Sequence, residues 1–478
     1  ILEARKEVKN SNALPCAIEE KLFDDLKSAL PFKLTISQEK ALIDIKNDLN
    51  KKTPMNRLLQ GDVGSGKTVV AALASVIAQI NNQSVAILAP TEILANQHFE
   101  TFKKIFENFK LSIPIGVITR STCKVFWEKA LEQEIKKSDL FENIKKNKVK
   151  IIIGTHAIFT EKINWPSLGL IIIDEQHRFG VGQRKKLIAK EKEYSKTIVP
   201  HFLSMSATPI PRTLTLAMFG DLDISIIDSL PLGRKSIITK VVSKENRENA
   251  YAFIRGEIKH GRQIFIVCPR IEEKNEEDEN KNEDIKYVLL EFERLKNNIF
   301  RNNKLGLLHG KLKPKEKEEV MQKLKNNEIN ILVTTSVIEV GIDIPNASVI
   351  VIENADRFGL AQLYQFRGRV GRGPYQSFCL LFTENYSEDT QQRLKALVEA
   401  KNGFELAERD LEIRGPGEFL GTSQSGLPDH AMRALKNINL LREARSAAEI
   451  STDKNISNLE KNILNEKINN FKQEVHFE

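Results

Sequence analysis

Apolar residues in this chain gather into short continuous runs, separated by stretches in which they recur at helical spacing. Uninterrupted runs, as opposed to alternating ones, predict strands buried on both faces, as in parallel sheets covered by helices. A first series reads as strands at Arg57–Gln60, Val85–Ala89, Ile113–Ile118, Val149–Ile153, Leu170–Ile173 and His201–Met205. A second comprises Gln263–Cys268, Leu305–Leu308, Ile331–Val333, Ser348–Ile352 and Ser377–Phe382. Between them, Asp228-Ser229-Leu230-Pro231-Leu232-Gly233 interrupts the pattern with Pro and Gly. The predicted class is α/β, with two tandem parallel-sheet domains over 31–230 and 231–400, after a linker segment 1–30. From about residue 385 the pattern becomes helical, passes through the Gly- and Pro-bearing segment Arg409 to Gly426, and ends in a polar tail; 401–478 forms a separate region in which Gly415-Pro416-Gly417 reads as a turn.

One strand ending carries a chemical signature. Gly61-Asp62-Val63-Gly64-Ser65-Gly66-Lys67-Thr68 matches the phosphate-cradling pattern G-x-x-x-x-G-K-[ST]. Glycines let the chain curl so that backbone N–H groups point at phosphate oxygens, and the helix formers from Val69 onward put a helix N-terminus behind them. Lys67 is expected to reach the β- and γ-phosphates of a nucleotide and the Thr68 hydroxyl to ligate Mg²⁺. Downstream, Asp174-Glu175 closes the run Leu170–Ile173. Asp174 is expected to hold Mg²⁺ and Glu175 to orient or deprotonate the attacking water. In the second domain, Gln365-Phe366-Arg367-Gly368-Arg369-Val370-Gly371-Arg372 concentrates arginines whose planar forks suit a phosphoryl-transfer transition state; Arg369 and Arg372 are the candidates.

Composition changes this picture little. At 41% hydrophobic and 28% charged residues, the 478-residue chain falls in the soluble globular range and outside the disordered class. Cys16, Cys123, Cys268 and Cys379 are far apart with no C-x-x-C pair, which argues against a disulfide framework or a structural zinc site and fits a reducing compartment. No apolar run reaches membrane-spanning length, and the charged opening is unlike a secretory signal, so a cytoplasmic location without membrane partners is expected. The net charge of +8 is compatible with a polyanionic partner without establishing one. The acidic segment Glu272 to Asp284 is expected to be a mobile surface loop, and the lysines between Lys136 and Lys150 fit either phosphate contacts or a solvated helix face and loop.

Taken in order, these elements resemble a superfamily 2 helicase, whose fold is two RecA-like domains. Gln38 after Leu34-Thr35 resembles the adenine-reading glutamine; Ala89-Pro90-Thr91-Glu92 and Gly154-Thr155-His156-Ala157 resemble strand-contacting motifs. Ser206-Ala207-Thr208 resembles the coupling motif, and Thr334 to Asp343 with Gln362 to Arg372 resembles the second-domain set. Asp174 to Val181, Ser206 to Thr213 and Arg409 to Thr422 narrow the likeness to the RecG family of ATP-dependent DNA helicases, over about Leu30 to Gly426.

That resemblance implies a double-stranded DNA translocase acting on stalled forks and Holliday junctions, with ATP and Mg²⁺ as cofactors. Gln38, Gly61, Asp62, Val63, Gly64, Ser65, Gly66, Lys67, Thr68, Gly341 and Asp343 would contact the nucleotide, and His177, Ser206, Thr208, Gln365, Arg414 and Gln424 would couple it to movement on DNA through a C-terminal helical hairpin and loop. Implied partners are branched and duplex DNA and a single-stranded DNA-binding protein; the expected state is a monomer. The family's N-terminal wedge domain finds no counterpart before Leu30, and the first residue is not methionine, so the chain is expected to be the motor portion of a larger protein. Two other readings stay open: a translocase similar to the transcription-repair coupling factor, whose acidic motif usually ends differently from His177, and a nucleotide-switched clamp that binds DNA without moving.

Overall fold

The computed structural model describes residues 11–420 apart from 128–130, parts of 156–164, 176–197, 208–221, 230–234, 270–282 and 340–343. A first sheet holds β1 (Asn56–Gly61), β2 (Ser84–Leu88), β3 (Ile115–Ile118), β4 (Cys123–Phe126), β5 (Glu132–Glu134), β6 (Ile151–Gly154), β7 (Leu168–Ile173), β8 (His201–Ser206) and β9 (Asp223–Ile227), in the order β5-β4-β3-β6-β2-β7-β8-β1-β9. A second holds β10 (Ile238–Val242), β11 (Gln263–Val267), β12 (Leu305–Leu308), β13 (Ile331–Thr334), β14 (Ala347–Ile352) and β15 (Phe378–Phe382), in the order β10-β15-β14-β11-β13-β12. The second sheet is parallel throughout; in the first only the β3/β4 and β4/β5 pairs are antiparallel. This is the expected tandem RecA-like α/β architecture.

Strands β2, β6 and β7 are buried at every position, as their uninterrupted apolar runs require. Four strands lie beyond those read from sequence: β4, β5, β9 and β10. Each is short and partly exposed, so none presents a continuous apolar run.

The helices that accompany these sheets include α1 (Ile36–Leu49), α2 (Lys67–Ile80), α3 (Glu92–Phe106), α4 (Arg247–Lys259), α5 (Glu283–Arg294), α6 (Leu360–Arg367), α7 (Glu388–Glu399) and α8 (Gly403–Leu420). Helix α2 is apolar nearly all round and accordingly central to the first core, packed with β1, β2, β7 and the aromatic residues of α3. Helices α6, α7 and α8 pack on one another beside the second sheet.

Two expectations need correction. Helix α8 runs through Gly415-Pro416-Gly417, where a turn was expected. Its start is capped by Asn402, whose Oδ1 accepts from the Glu405 N–H at 2.9 Å, and the spaced pairs Glu405–Arg409 and Asp410–Arg414, each 2.8 Å, favour the helix upstream of the proline. The acidic segment from Glu272 lies mostly outside the described residues, but its end, Glu283 and Asp284, opens helix α5 instead of belonging to a loop.

Candidate nucleotide site between the two sheets

The carboxyl ends of β1, β8 and β7 lie side by side, with Gln60 opposite Ser206 and Ile173 opposite Ser204. In open parallel sheets this edge is where ligands bind. The loop after β1 enters helix α2 through Gly66, whose φ of +88° suits glycine, as does the +77° of Gly64. A Cβ on Gly66 would stand 2.2 Å from Gln38 Nε2, so the loop and Gln38 are fitted to each other.

Gln38 is used twice. It is the third residue of α1, where its Oε1 accepts from the Thr35 N–H at 2.8 Å while Thr35 Oγ1 accepts from the Gln38 N–H at 3.3 Å, a reciprocal cap. Its Nε2 donates to the Ser65 carbonyl at 2.7 Å, which braces the loop. Lys67 Nζ donates to the carbonyls of Gly61 and Asp62 at 2.7 and 2.9 Å. Burial lowers the pKa of that ammonium, an effect opposed by the Glu175, Asp174 and Asp62 carboxylates and reinforced by the positive charge of Arg369. Ser65 Oγ is buried with no hydrogen-bond partner among the described residues. A glycine-curled loop, a helix N-terminus, a lysine and an orphaned hydroxyl together fit a polyphosphate. Thr68, half-buried in the first turn of α2, and Asp174 carry the oxygen donors a magnesium ion takes.

The adjacent carboxylates Asp174 and Glu175 are held apart electrostatically. Burial pushes the Asp174 carboxyl up, yet the hydrogen bond and charge of His98 and the charge of Lys67 outweigh it, leaving its pKa below the ordinary value. His98 Nε2 lies 2.7 Å from Asp174 Oδ2, and the Glu175 N–H donates to Asp174 Oδ1 at 3.0 Å. Glu175 goes the other way: burial first and the Asp174 charge second raise it. One ionised carboxylate beside one poised to take a proton is the division expected of a metal ligand and a general base. Glu175 also has φ +51°, a strained conformation for its residue type, and its Oε2 accepts from the Ala207 N–H at 3.4 Å, joining it to the segment after β8.

The second sheet's flank reaches this site. Arg369, only 4% exposed, lies close enough to act electrostatically on both Lys67 and Glu175. Gly368 packs on the loop so tightly that a Cβ there would be 2.7 Å from Val63 Cβ. Tyr364 Oη donates to Asp62 Oδ2 at 2.7 Å, and the Gly403 N–H donates to Asp62 Oδ1 and Oδ2 at 3.1 and 3.3 Å.

Of the other residues singled out from sequence, Ser206 and Gln365 are buried, at the end of β8 and on α6, and Arg372 is half-buried. Arg414 pairs with Asp410 on α8 and lies beside Gly359, 3.7 Å from where a Cβ would stand. Gly341, Asp343, His177, Thr208 and Gln424 lie outside the described residues. Sequence reasoning missed His98, Tyr364 and Gly403.

The DEAD/DEAH box helicase family matches residues 35–216, the helicase conserved C-terminal domain 245–374, and the C-terminal part of domain 3 of the ATP-dependent DNA helicase RecG 400–477. The RecG helicase of Synechocystis sp. is 47% identical over 90% of this chain, and that of Aquifex aeolicus 42% identical over 96%. The chain belongs to the RecG helicase family. It spans about half the length of those curated relatives, 49% and 56% respectively. A solved structure of RecG bound to a three-way DNA junction is similar with a TM-score of 0.73 and 38% identity, over 92% of this chain and 54% of that one. The family match to RecG domain 3 begins three residues before helix α8, so the Asp62 contact to Gly403 joins the phosphate loop to the start of that region.

Proposed function

We propose that this RecG-family chain is the motor of an ATP-dependent double-stranded DNA translocase that remodels branched DNA such as stalled forks and Holliday junctions, in the cytoplasm. The observation that carries this reading is the meeting of Lys67, Asp174, Glu175 and Arg369 at one sheet edge, with Arg369 supplied by the facing lobe. The solved RecG bound to a three-way DNA junction supports the choice of substrate. In this reading 31–230 and 231–400 are the two lobes and 401–478 the translocation region, Arg414 and Gln424 among its DNA-coupling residues.

The loop Gly61 to Gly66 and Lys67 bind the phosphates, with Gln38 near the adenine and Gly341 and Asp343 completing the nucleotide contacts. Thr68 and Asp174 would hold Mg²⁺, which neutralises charge on the phosphates when bound. Glu175 orients the attacking water and accepts its proton, a role that its raised pKa suits. Arg369, and Arg372 on closure, place guanidinium charge where the transferring phosphoryl develops it. Ser206, Thr208, His177 and Gln365 link that event to lobe movement, so that each hydrolysis alternates two spacings between lobes that both grip the DNA backbone. The expected state is a monomer, and a single-stranded DNA-binding protein is the expected protein partner.

The test is ATP hydrolysis with and without duplex DNA, paired with displacement of a third strand from a linear triplex. The wild type is expected to do both, and Lys67→Ala neither. Little ATP hydrolysis with the third strand left in place would favour a clamp, and full DNA-stimulated hydrolysis by Lys67→Ala would remove Lys67 from the site.

A further inference from the structure

Among the residues of the phosphate loop, Asp62 stands apart in what its side chain binds. Both carboxylate oxygens are engaged by the second lobe: the Tyr364 hydroxyl on α6 donates at 2.7 Å, and the backbone N–H of Gly403, the first residue of α8, donates at 3.1 and 3.3 Å. These partners lie 302 and 341 positions away in sequence. A carboxylate accepting from the first N–H of a helix also interacts favourably with its dipole. Meanwhile the main-chain carbonyl of the same residue, together with that of Gly61, holds the Lys67 ammonium. Asp62 thus touches the phosphate-binding lysine with its backbone and the head of α8 with its side chain.

Tyr364 is built for this bond. It is 5% exposed, and burial together with the Asp62 carboxylate pushes its hydroxyl well above the ordinary value, so it remains a donor at any physiological pH. Arg367 lies over its ring at 4.4 Å and is itself tied to the Leu397 carbonyl of α7 at 2.9 Å. Gly368, on the same turn, contacts Val63 closely. Helix α6 therefore cannot shift on the loop without disturbing Asp62.

We propose that Asp62 is the positioning residue through which the phosphate loop passes its nucleotide state to helix α8, with Tyr364 as the anchor that holds its carboxylate in place. The proposal rests on the translocase reading above. A triphosphate in the cradle draws Lys67 Nζ from the carbonyls of Gly61 and Asp62, and its negative charge repels the neighbouring carboxylate. Asp62 then turns, the bond to Gly403 opens, and α8 is released at its N-terminal end. Departure of the phosphates restores the latch. One residue of the loop converts phosphate occupancy into a two-state contact with the first helix of the RecG-specific region, as a coupling element requires.

Tyr364→Phe removes one hydroxyl and keeps the packing. ATP hydrolysis without DNA and nucleotide affinity are expected to stay at wild-type levels, while third strands displaced per ATP fall by about tenfold, within the ordinary range of coupling between sites. A merely structural tyrosine would add its effect to any other, but in an Asp62→Ala background the further change Tyr364→Phe is expected to do nothing more. Hydrogen exchange over 401–406 supplies a readout that needs no DNA: slow without nucleotide, and about tenfold faster with a non-hydrolysable ATP analogue, because the Gly403 amide loses its acceptor. Unchanged exchange with the analogue, or wild-type displacement per ATP in Tyr364→Phe, overturns the link. A wild type that hydrolyses ATP but displaces nothing sinks the translocase reading, and the exchange experiment still judges the link.

Discussion

His98 Nε2 lies 2.7 Å from Asp174 Oδ2, and both side chains are buried. The histidine projects from α3, where Phe102 meets its ring edge-on at 6.5 Å, and so fixes a carboxylate at the end of β7, a different element. The pair is an outer partner of the kind that orients metal-holding groups.

His98→Ala deletes the hydrogen bond and charge that hold the Asp174 carboxyl below its ordinary pKa. A group whose folded pKa is depressed contributes stability above its unfolded pKa, and loses it as pH falls through the folded value. The variant should therefore lose that contribution at neutral pH, on the order of 1.5 to 3 kcal/mol for a hydrogen bond to a charged group. Its ATPase pH profile should also move its acid limb upward. An unchanged acid limb would show that Asp174 is held by other groups.

Gln38→Glu separates the two uses of the glutamine. The carboxylate still serves the cap with Thr35, since Glu fits the same position of the helix. It has no N–H for the Ser65 carbonyl, and it puts an acceptor against an acceptor at a residue only 2% exposed. The expected cost is about 1 to 3 kcal/mol, with ATP affinity falling more than the ceiling rate. Thermal denaturation and a titration of ATP dependence read the two effects. Equal affinity in the variant would mean that Gln38 does not shape the loop.

Glu175→Gln keeps size and the capacity to accept from the Ala207 N–H but cannot take a proton. ATP should bind as in wild type and hydrolysis should slow by about 10² to 10⁴, the range of general-base catalysis. Removing a buried acid also relieves the burial cost that raises its pKa, so the variant is expected to melt no lower than wild type. Hydrolysis within twofold of wild type would assign the base elsewhere.

The parts of the molecule legible in the sequence are those in which chemistry and pattern are local. Gly61 to Thr68 and Asp174-Glu175 are contiguous motifs, and β2, β6 and β7 are built on the uninterrupted apolar runs Val85–Ala89, Ile151–Ile153 and Leu170–Ile173, so their physics is written in adjacent residues. Strands β4, β5, β9 and β10 escaped because a half-exposed strand of a few residues lacks a continuous apolar run. His98 escaped for another reason: a lone histidine within an amphipathic helix gives no sign of the carboxylate 76 positions away that it will meet. The Asp62 contacts to Tyr364 and Gly403 depend on how two lobes dock, which no spacing encodes. Gly415-Pro416-Gly417 has the composition of a turn, whereas the cap at Asn402 and the ion pairs at 405/409 and 410/414 that favour helix α8 depend on side-chain partners upstream.

Glu353 provides a pH test confined to the second lobe. It follows β14 at 2% exposure, with Arg247 of α4 3.4 Å from its Oε2. Burial pushes its carboxyl from 4.5 to about 7; Arg247 and Arg294 oppose that rise, and Glu291 and Glu384 add to it. One ion pair does not offset the loss of water around a carboxylate enclosed on this scale. Because the folded pKa exceeds the unfolded one, the contribution is fully present below pH 4.5 and is lost as pH rises through 7. The shift corresponds to on the order of 3 kcal/mol. The second lobe is expected to lose stability steadily between about pH 4.5 and 7, and Glu353→Gln to flatten that part of the profile while leaving the acid side little changed. Thermal denaturation across that interval decides it: parallel pH slopes for the two proteins would mean that Glu353 is ionised in the fold and that Arg247 outweighs burial after all.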